Sequence, residues 1–177
     1  MLNCYFDANA LIKYSTLQEY KARLGDAEKG VDEIRQLVSQ EDSTIYYSSL
    51  TLLECWRVLF LFYRKGILGK SRGKHANKAL QIIIEKLMVD LQSPFFVKLD
   101  TSMDENIISQ AHLLIERYGM SKDVGSLDML HIALIKGSSI ENLLMVSSDR
   151  VVKNVCASEG IELFDPEKTY HENIKLD

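Results

Sequence analysis

Short apolar runs alternate with longer amphipathic stretches along this sequence. The short runs are four or five residues long, are rich in β-branched and aromatic side chains, and lie at 2–6, 44–48, 95–99, 143–146 and 161–164. Several of them are almost continuously apolar, as strands are when helices cover both faces of a parallel sheet. The pattern therefore predicts five buried strands.

The stretches between these runs have helical periodicity. Apolar residues recur every three or four positions around 34–38, 53–63, 80–91, 107–115 and 130–134. Strands that alternate with helices are typical of α/β sheets with right-handed crossovers. We therefore expect an α/β fold, a three-layer α/β/α sandwich around a mainly parallel five-stranded sheet.

Length and composition favour one globular domain over residues 1–177. The hydrophobic share is 46% and the charged share 26%, which argues against disordered and fibrous proteins. Cys4, Cys55 and Cys156 lie far apart and form no CxxC pair, which argues against a disulfide framework or a zinc ribbon. The cysteine pattern suits a reducing, cytoplasmic environment.

Neither a signal peptide nor a membrane span is expected. Asp7 interrupts the amino-terminal stretch in which a signal peptide needs apolar residues. The longest uninterrupted apolar run, 58–63, is far shorter than the ~20 residues that cross a bilayer.

Acidic residues follow several of the predicted strands. Asp7 comes directly after the first strand, and Asp149 follows the fourth. Glu54 lies in the helix after the second strand, and Asp128 near the start of the helix at 126. The carboxyl ends of parallel strands border the ligand crevice of open α/β sheets. Four carboxylates are therefore expected to meet at one crevice.

Each acid also has a structural interpretation. Asp149 and Asp7 are well placed to cap helices, Glu54 completes a capping box with Thr51, and Asp128 would lie in a first helical turn. Considered together, four like charges at one crevice repel each other unless a cation neutralises them. Oxygen ligands alone suit Mg²⁺ or Mn²⁺.

Four segments resemble the motifs of the PIN-domain nucleases, in the order that the family has them: 5–10 (YFDANA), 49–54 (SLTLLE), 126–133 (SLDMLHIA) and 146–149 (VSSD). The resemblance implies a strand order of 3-2-1-4-5 and a metal-binding acidic set of Asp7, Glu54, Asp128 and Asp149. It also implies that Asn9 and Ser147 support this set. Small prokaryotic PIN proteins include VapC-type toxins, so a small antitoxin and a homodimer are expected partners.

Basic residues are concentrated in one region, although the net charge is −4. Eight of the 21 lysines and arginines lie within 57–86, against Glu85 as the single acid there. We interpret 64–92 as a basic helical insertion. The cations expected to contact RNA are Arg64, Lys65, Lys70, Arg72 and Lys74, because a carboxylate crevice itself repels phosphate. A solvated helix face is the alternative.

Other polar residues carry weaker signals. His131 shares a helix face with Asp128, which favours packing or hydrogen bonding near the site over a metal-ligand role. No G-x-S-x-G, P-loop or dinucleotide motif is present, so serine hydrolase and nucleotide-binding chemistry are not supported.

The sequence thus predicts a metal-dependent endoribonuclease that is the toxin of a toxin–antitoxin pair. Three alternatives stay open. They are a PIN-type nuclease of RNA maturation or decay outside such a pair, a binding module for RNA or protein whose acids are vestigial, and a hydrolase of small phosphate esters.

Overall fold

The computed structural model describes residues 2–15, 29–68 and 74–173. Its strands are β1 (Leu2–Phe6), β2 (Ser43–Tyr47), β3 (Phe96–Lys98), β4 (Leu143–Val146) and β5 (Leu163–Phe164). Its helices are α1 (Ala8–Ser15), α2 (Val31–Val38), α3 (Ser49–Arg64), α4 (Lys74–Asp90), α5 (Glu105–Tyr118), α6 (Ser126–Lys136), α7 (Arg150–Glu159) and α8 (Tyr170–Asn173).

The five strands form one parallel sheet in the order β3-β2-β1-β4-β5. This order and the α/β class confirm the prediction. The central strand β1 pairs with β2 from Leu2 to Tyr5 and with β4 from Asn3 to Phe6. The edge strands β3 and β5 are shorter than their apolar runs, since an edge strand has a partner on one side only.

Two hydrophobic clusters cover the two faces of the sheet and produce the three layers. Alternation along β1 sends Cys4 and Phe6 into one cluster and Tyr5 into the other. The first cluster contains residues of α1, α2, α3 and α4, and the second is built mainly from α5, α6 and α7. A smaller cluster, with Leu59 and Ile83 among its members, joins α3 to α4.

The carboxyl ends of β1 and β4 lie side by side and lead directly into helices. Phe6 of β1 pairs with Val146 of β4, and the backbone N–H of Asp7 donates to the carbonyl of Val146 at 3.4 Å. The first and fourth motifs therefore meet at the centre of the sheet edge, which is where the functional site is expected. In the part of the chain that the structure describes, no helix is long and apolar enough to span a membrane.

Candidate functional site

A pocket of about 270 Å³ opens at this central edge of the sheet. Its polar lining comprises Asn9, His131 and the predicted acids Asp7, Glu54, Asp128 and Asp149. Its apolar lining comprises Ala8, Ile12, Val58, Phe62, Met145 and Val152. The structure thus brings together four carboxylates from four separate segments of the chain, beside apolar side chains.

Asp7 is the most buried of the four acids, with 7% of its surface exposed. Burial raises the pKa of this carboxyl, while hydrogen bonds from the Ser147 hydroxyl and the Ala10 backbone N–H oppose the rise. The Ala10 bond to Oδ1 is 2.7 Å long and fixes the carboxyl at the start of α1. Asp7 therefore caps a helix and faces the pocket at the same time.

Ser147 connects the first and fourth motifs. Its side chain is fully buried, and its Oγ accepts a 3.1 Å hydrogen bond from the backbone N–H of Asp149 while the hydroxyl is bonded to Asp7. Asp149 is the N-cap of α7, where Oδ1 accepts from the N–H groups of Val151 and Val152 at 2.6 and 3.0 Å. The capping interpretation of Asp149 is confirmed, and it coexists with a position on the pocket.

Glu54 does not complete a capping box, so that structural interpretation is wrong. The box of α3 is formed by Ser48 and Thr51, because Ser48 already occupies the N-cap position three residues earlier than expected. Glu54 instead lies in the second turn, and its Oε2 is 2.6 Å from Nε2 of His131. The contact crosses from α3 to α6 and holds the carboxylate at the pocket.

Asp128 lies in the first turn of α6 and is half-buried. Burial, and then the charges of Asp149 and Glu54, raise the pKa of this carboxyl to about 6. The shift shows that these acids are close enough to repel one another. Gly125 precedes the helix, and a Cβ there would come within 2.6 Å of Asp128 Oδ2. A side chain at position 125 would therefore displace the Asp128 carboxylate from its present position.

The chemistry of this donor set fits a hard divalent cation, since carboxylate oxygens are the ligands that Mg²⁺ and Mn²⁺ prefer. Burial raises the pKa of Asp128 most, and the neighbouring charges of Asp149 and Glu54 raise it further, an effect that such an ion would offset. Within residues 2–15, 29–68 and 74–173, however, no group of three or more His, Cys, Asp or Glu side chains is arranged so that it could hold an ion. Binding would therefore require the carboxylate side chains to move closer together within the pocket.

Asn9 lies on the pocket but bonds Ser148 instead of an acid, with 2.9 Å between Nδ2 and Oγ. Lys13, one turn further along α1, is 4% exposed and reaches the same Ser148 Oγ at 3.1 Å. Lys13 was not among the predicted site residues. The i, i+4 spacing from Asn9 is the signal that places it on the same helix face.

The predicted RNA-contacting cations are described only in part. Arg64 and Lys65 are exposed at the end of α3. Lys70 and Arg72 lie outside the described residues, as does the side chain of Lys74, which begins α4.

Comparison with known proteins relates this fold to toxins. No protein-family model matches the sequence, and no curated protein matches it. Among solved structures, VapC20 of Mycobacterium tuberculosis, a sarcin–ricin loop cleaving toxin, matches with a TM-score of 0.53 and 14% identity over 86% of this chain and 95% of that one. VapBC2 of Rickettsia felis, bound to a DNA fragment from its promoter, matches with a TM-score of 0.54 and 14% identity over 93% and 98%. This chain has the PIN-domain fold of the VapC toxins. At 14% identity, this likeness shows a VapC-like fold and does not assign functions to the residues of this chain.

Proposed function

We propose that this protein is a divalent-metal-dependent endoribonuclease. The observation that carries the proposal is the pocket at the carboxyl edge of the sheet, lined by Asp7, Glu54, Asp128 and Asp149. Structural interpretations of single acids account for the capping bonds of Asp7 and Asp149. They do not account for the convergence of four acids on one pocket of a VapC-like fold.

The chain itself would position the reaction. Asp7, Glu54, Asp128 and Asp149 would hold one or two Mg²⁺ or Mn²⁺ ions, with Asn9 and Ser147 as supporting residues. When bound, such an ion supplies Lewis acidity for hydrolysis of a phosphodiester. Ser147 and the Ala10 N–H fix the orientation of the Asp7 carboxyl. Asp128, with a pKa of about 6, carries little bound proton at neutral pH and presents a carboxylate to the pocket.

The pocket wall would favour the reaction by limiting solvent. Ile12, Val58, Phe62 and Val152 form an apolar part of the pocket lining. Electrostatic interactions are stronger where water is restricted, so charges on the carboxylates act over a short distance with little screening.

RNA is the substrate that the neighbouring surface favours. Trp56 and Phe60 stack on α3 with ring centroids 6.2 Å apart, and Phe60 is 48% exposed. Arg57, Arg64 and Lys65 are exposed along the same part of the chain, while Glu54, the single acid of α3, faces the pocket. Exposed aromatic rings beside cations bind the bases and phosphates of single strands. A small phosphate ester would need no such surface.

We extend the proposal to a toxin role in a toxin–antitoxin pair. VapC20 is a toxin and VapBC2 is bound to promoter DNA, which supports a small antitoxin as the partner here. We extend the proposal to homodimer formation and a cytoplasmic location, the latter consistent with three buried, unpaired cysteines.

Cleavage of RNA by the full chain tests the proposal. Labelled single-stranded and structured RNAs are incubated with Mg²⁺, with Mn²⁺ or with chelator, using wild type and Asp149→Asn. Asparagine caps helices as well as aspartate does, so the variant should fold normally. Loss of a ligand charge should lower the cleavage rate about 100-fold or more.

A matched control separates capping from catalysis. Asp104 is the N-cap of α5, with Oδ1 accepting from the Ile107 N–H at 3.0 Å, and it lies outside the acidic pocket. Asp104→Asn should cleave RNA like wild type. Wild-type rates in Asp149→Asn, or metal-independent cleavage, would contradict the proposal. Hydrolysis of bis-p-nitrophenyl phosphate without RNA cleavage would favour the small-ester hydrolase.

A further inference from the structure

A buried row of polar side chains leads from the N-cap of α3 to the acidic pocket. The Tyr5 hydroxyl lies 2.8 Å from Ser48 Oγ, 3.3 Å from Thr51 Oγ1 and 2.7 Å from His131 Nδ1. His131 Nε2 then contacts Glu54 Oε2 at 2.6 Å. Tyr5 and Thr51 are fully buried, and Ser48 and His131 are 4% and 2% exposed. The row therefore excludes solvent until it reaches Glu54.

One assignment of the protons satisfies every donor in this row. The Thr51 hydroxyl donates to the Phe6 carbonyl at 3.2 Å, and the Thr51 backbone N–H donates to Ser48 Oγ at 3.1 Å. The Ser48 hydroxyl then donates to the Tyr5 oxygen or to Thr51 Oγ1, which lies 3.1 Å away. With a neutral imidazole, the Tyr5 hydroxyl donates to Nδ1, and Nε2–H donates to the carboxylate of Glu54. Every donor is matched to an acceptor, and the last acceptor is a pocket acid.

The row also joins the elements that deliver the acids. Tyr5 lies on β1 two residues before Asp7, and His131 lies on α6 three residues after Asp128. Glu54 lies on α3, whose N-cap is Ser48. A side-chain network that served only to satisfy buried groups would not need to touch all three elements. This one fixes their relative positions at the pocket.

We propose that Tyr5 and His131 are positioning residues that hold the Glu54 carboxylate for metal binding. The inference rests on the proposed function, since it assigns them to the same acidic set. His131 Nε2–H engages Oε2 of Glu54, and Tyr5 fixes the ring from its other nitrogen. Partners that orient a ligating carboxylate commonly change metal affinity or activity about 10–100-fold when they are replaced.

Two substitutions of one residue test the proposal. The amide nitrogen of glutamine in His131→Gln can reach the place of Nε2 and donate to Glu54. The amide of asparagine in His131→Asn reaches only the place of Nδ1. Manganese affinity of the full chain, measured by titration with free Mn²⁺ followed by electron paramagnetic resonance, should fall no more in His131→Gln than in Tyr5→Phe, since glutamine keeps the donor to Glu54 and loses only the bond with Tyr5. It should fall about 10–100-fold in His131→Asn.

Tyr5→Phe supplies a second variant that removes one oxygen and keeps the ring. Its Mn²⁺ affinity should fall about 10-fold, since the imidazole loses its bond at Nδ1. His112→Asn is the matched control, because His112 also pairs with a glutamate, Glu116, at 3.4 Å but on the exposed face of α5. It should bind Mn²⁺ like wild type.

The outcomes separate this inference from the proposed function. If wild type binds no Mn²⁺, or binds it as Asp7→Asn does, the proposed function fails. If wild type binds but His131→Asn and Tyr5→Phe bind equally well, the network is only structural and the inference is overturned. Lower melting temperatures with unchanged Mn²⁺ affinity lead to the same conclusion. Should His131→Asn not fold, the affinity of Tyr5→Phe decides.

Discussion

A carboxylate at the end of a buried strand is costly unless it has partners. Asp7 accepts hydrogen bonds from the Ala10 N–H and the Ser147 hydroxyl. Burial nevertheless raises the pKa of its carboxyl. Asp128 is less buried, and burial, followed by the charges of Asp149 and Glu54, raises its pKa to about 6. Both carboxylates are therefore less favourable in the folded protein than in water, and this cost should be visible in folding stability.

The metal-free protein should be stabilised by Asp128→Asn at neutral pH. The pKa of Asp128 is raised from 3.8 to about 6 in the folded state, so its favourable contribution is complete below pH 3.8 and is lost as the pH rises through about 6. After discounting for partial exposure, an effect of about 1 kcal/mol corresponds to about 2–4 °C in Tm. Thermal melts in chelator at pH 7 should show this gain, which should disappear at pH 4.

Glu105→Gln is the control for the helix-dipole contribution of an acid in a first turn. Glu105 opens α5 and is exposed, outside the acidic pocket. Its replacement should leave Tm unchanged or slightly lower at pH 7. A wild-type Tm that is flat between pH 4 and pH 7, with no gain in Asp128→Asn, would mean that the acids do not repel each other in the folded state.

At this scale the sequence identified the acids but not their partners. Asp7 and Asp149 are visible because each follows an apolar run, and parallel strands end at one edge of a sheet. In the sequence pattern, Tyr5 is one more apolar residue of a strand. In the structure, its hydroxyl contacts groups that lie 43 and 126 positions away in the sequence. Local periodicity carries no information on contacts of that range, so the row of hydrogen bonds could not be predicted.

Helices α5, α6 and α7 are joined by one carboxylate at the end of α7. Glu159 accepts from Lys136 of α6 and from Arg117 and Tyr118 of α5, the last two at 2.6 Å each. The Lys136 bond, followed by the Tyr118 bond, lowers the pKa of Glu159 to about 2. One ionised group thus links three helices that also share a hydrophobic cluster on one face of the sheet.

Glu159→Gln should lose stability at neutral pH and much less in acid. A depressed pKa means that the contribution is complete above about pH 4.5 and is lost as the pH falls through about 2. The Tm gap between wild type and Glu159→Gln should therefore be largest at pH 5–7 and close as the pH approaches 2. Differential scanning calorimetry over this range measures it.

Glu116 offers the matched control on the same face of the molecule. It pairs only with exposed His112 at 3.4 Å, within one helix. Glu116→Gln should change Tm little at any pH, since exposed pairs contribute about 0–1 kcal/mol. If both glutamate variants behave alike, Glu159 does not join the helices in solution.

The bounds of a strand were predicted well where it pairs with a strand on each side, and less well at the edges of the sheet. Strands β1 and β4 have the predicted bounds, because both are central and buried. The run at 161–164 forms only Leu163–Phe164, since β5 pairs with β4 alone. The capping box was misplaced because Thr51 and Glu54 fit the sequence pattern, while the backbone turns into α3 already at Ser48.

The order of the strands could not be obtained from periodicity. Alternation of strands and helices gave the α/β class and the layers, but several strand orders are compatible with it. The four motif segments supplied the order 3-2-1-4-5 by resemblance, and the structure confirms it. Within the region 64–92, α4 packs on α3 through Leu59 and Ile83, and the interpretation of this region as a basic insertion stays a prediction.

Charge is distributed unevenly over the whole molecule, and this has a consequence for binding. A net charge of −4 disfavours nucleic acid on average, whereas residues 57–86 carry eight cations against one acid. Arg57 and Arg64 are two turns apart on α3 and both are exposed; Arg57 lies between the stacked Trp56 and Phe60 in the sequence, and Arg64 follows Phe60 by one turn. The described part of this region therefore suffices for a quantitative test of RNA contact.

Replacing Arg57 and Arg64 together by alanine should weaken single-stranded RNA binding in a salt-dependent manner. Each phosphate contact on a single strand contributes about −0.7 to the slope of log affinity against log salt, so losing two should flatten the slope by about 1.4. Fluorescence anisotropy with labelled poly(U), in chelator to prevent cleavage, measures the slope.

The double variant Lys29→Ala, Lys168→Ala is the control, because it removes the same charge from exposed positions near the contact of Gly30 with Pro166. Its slope should equal that of wild type, because net charge alone does not set the number of contacts. Equal slopes in all three proteins would mean that RNA does not lie along α3.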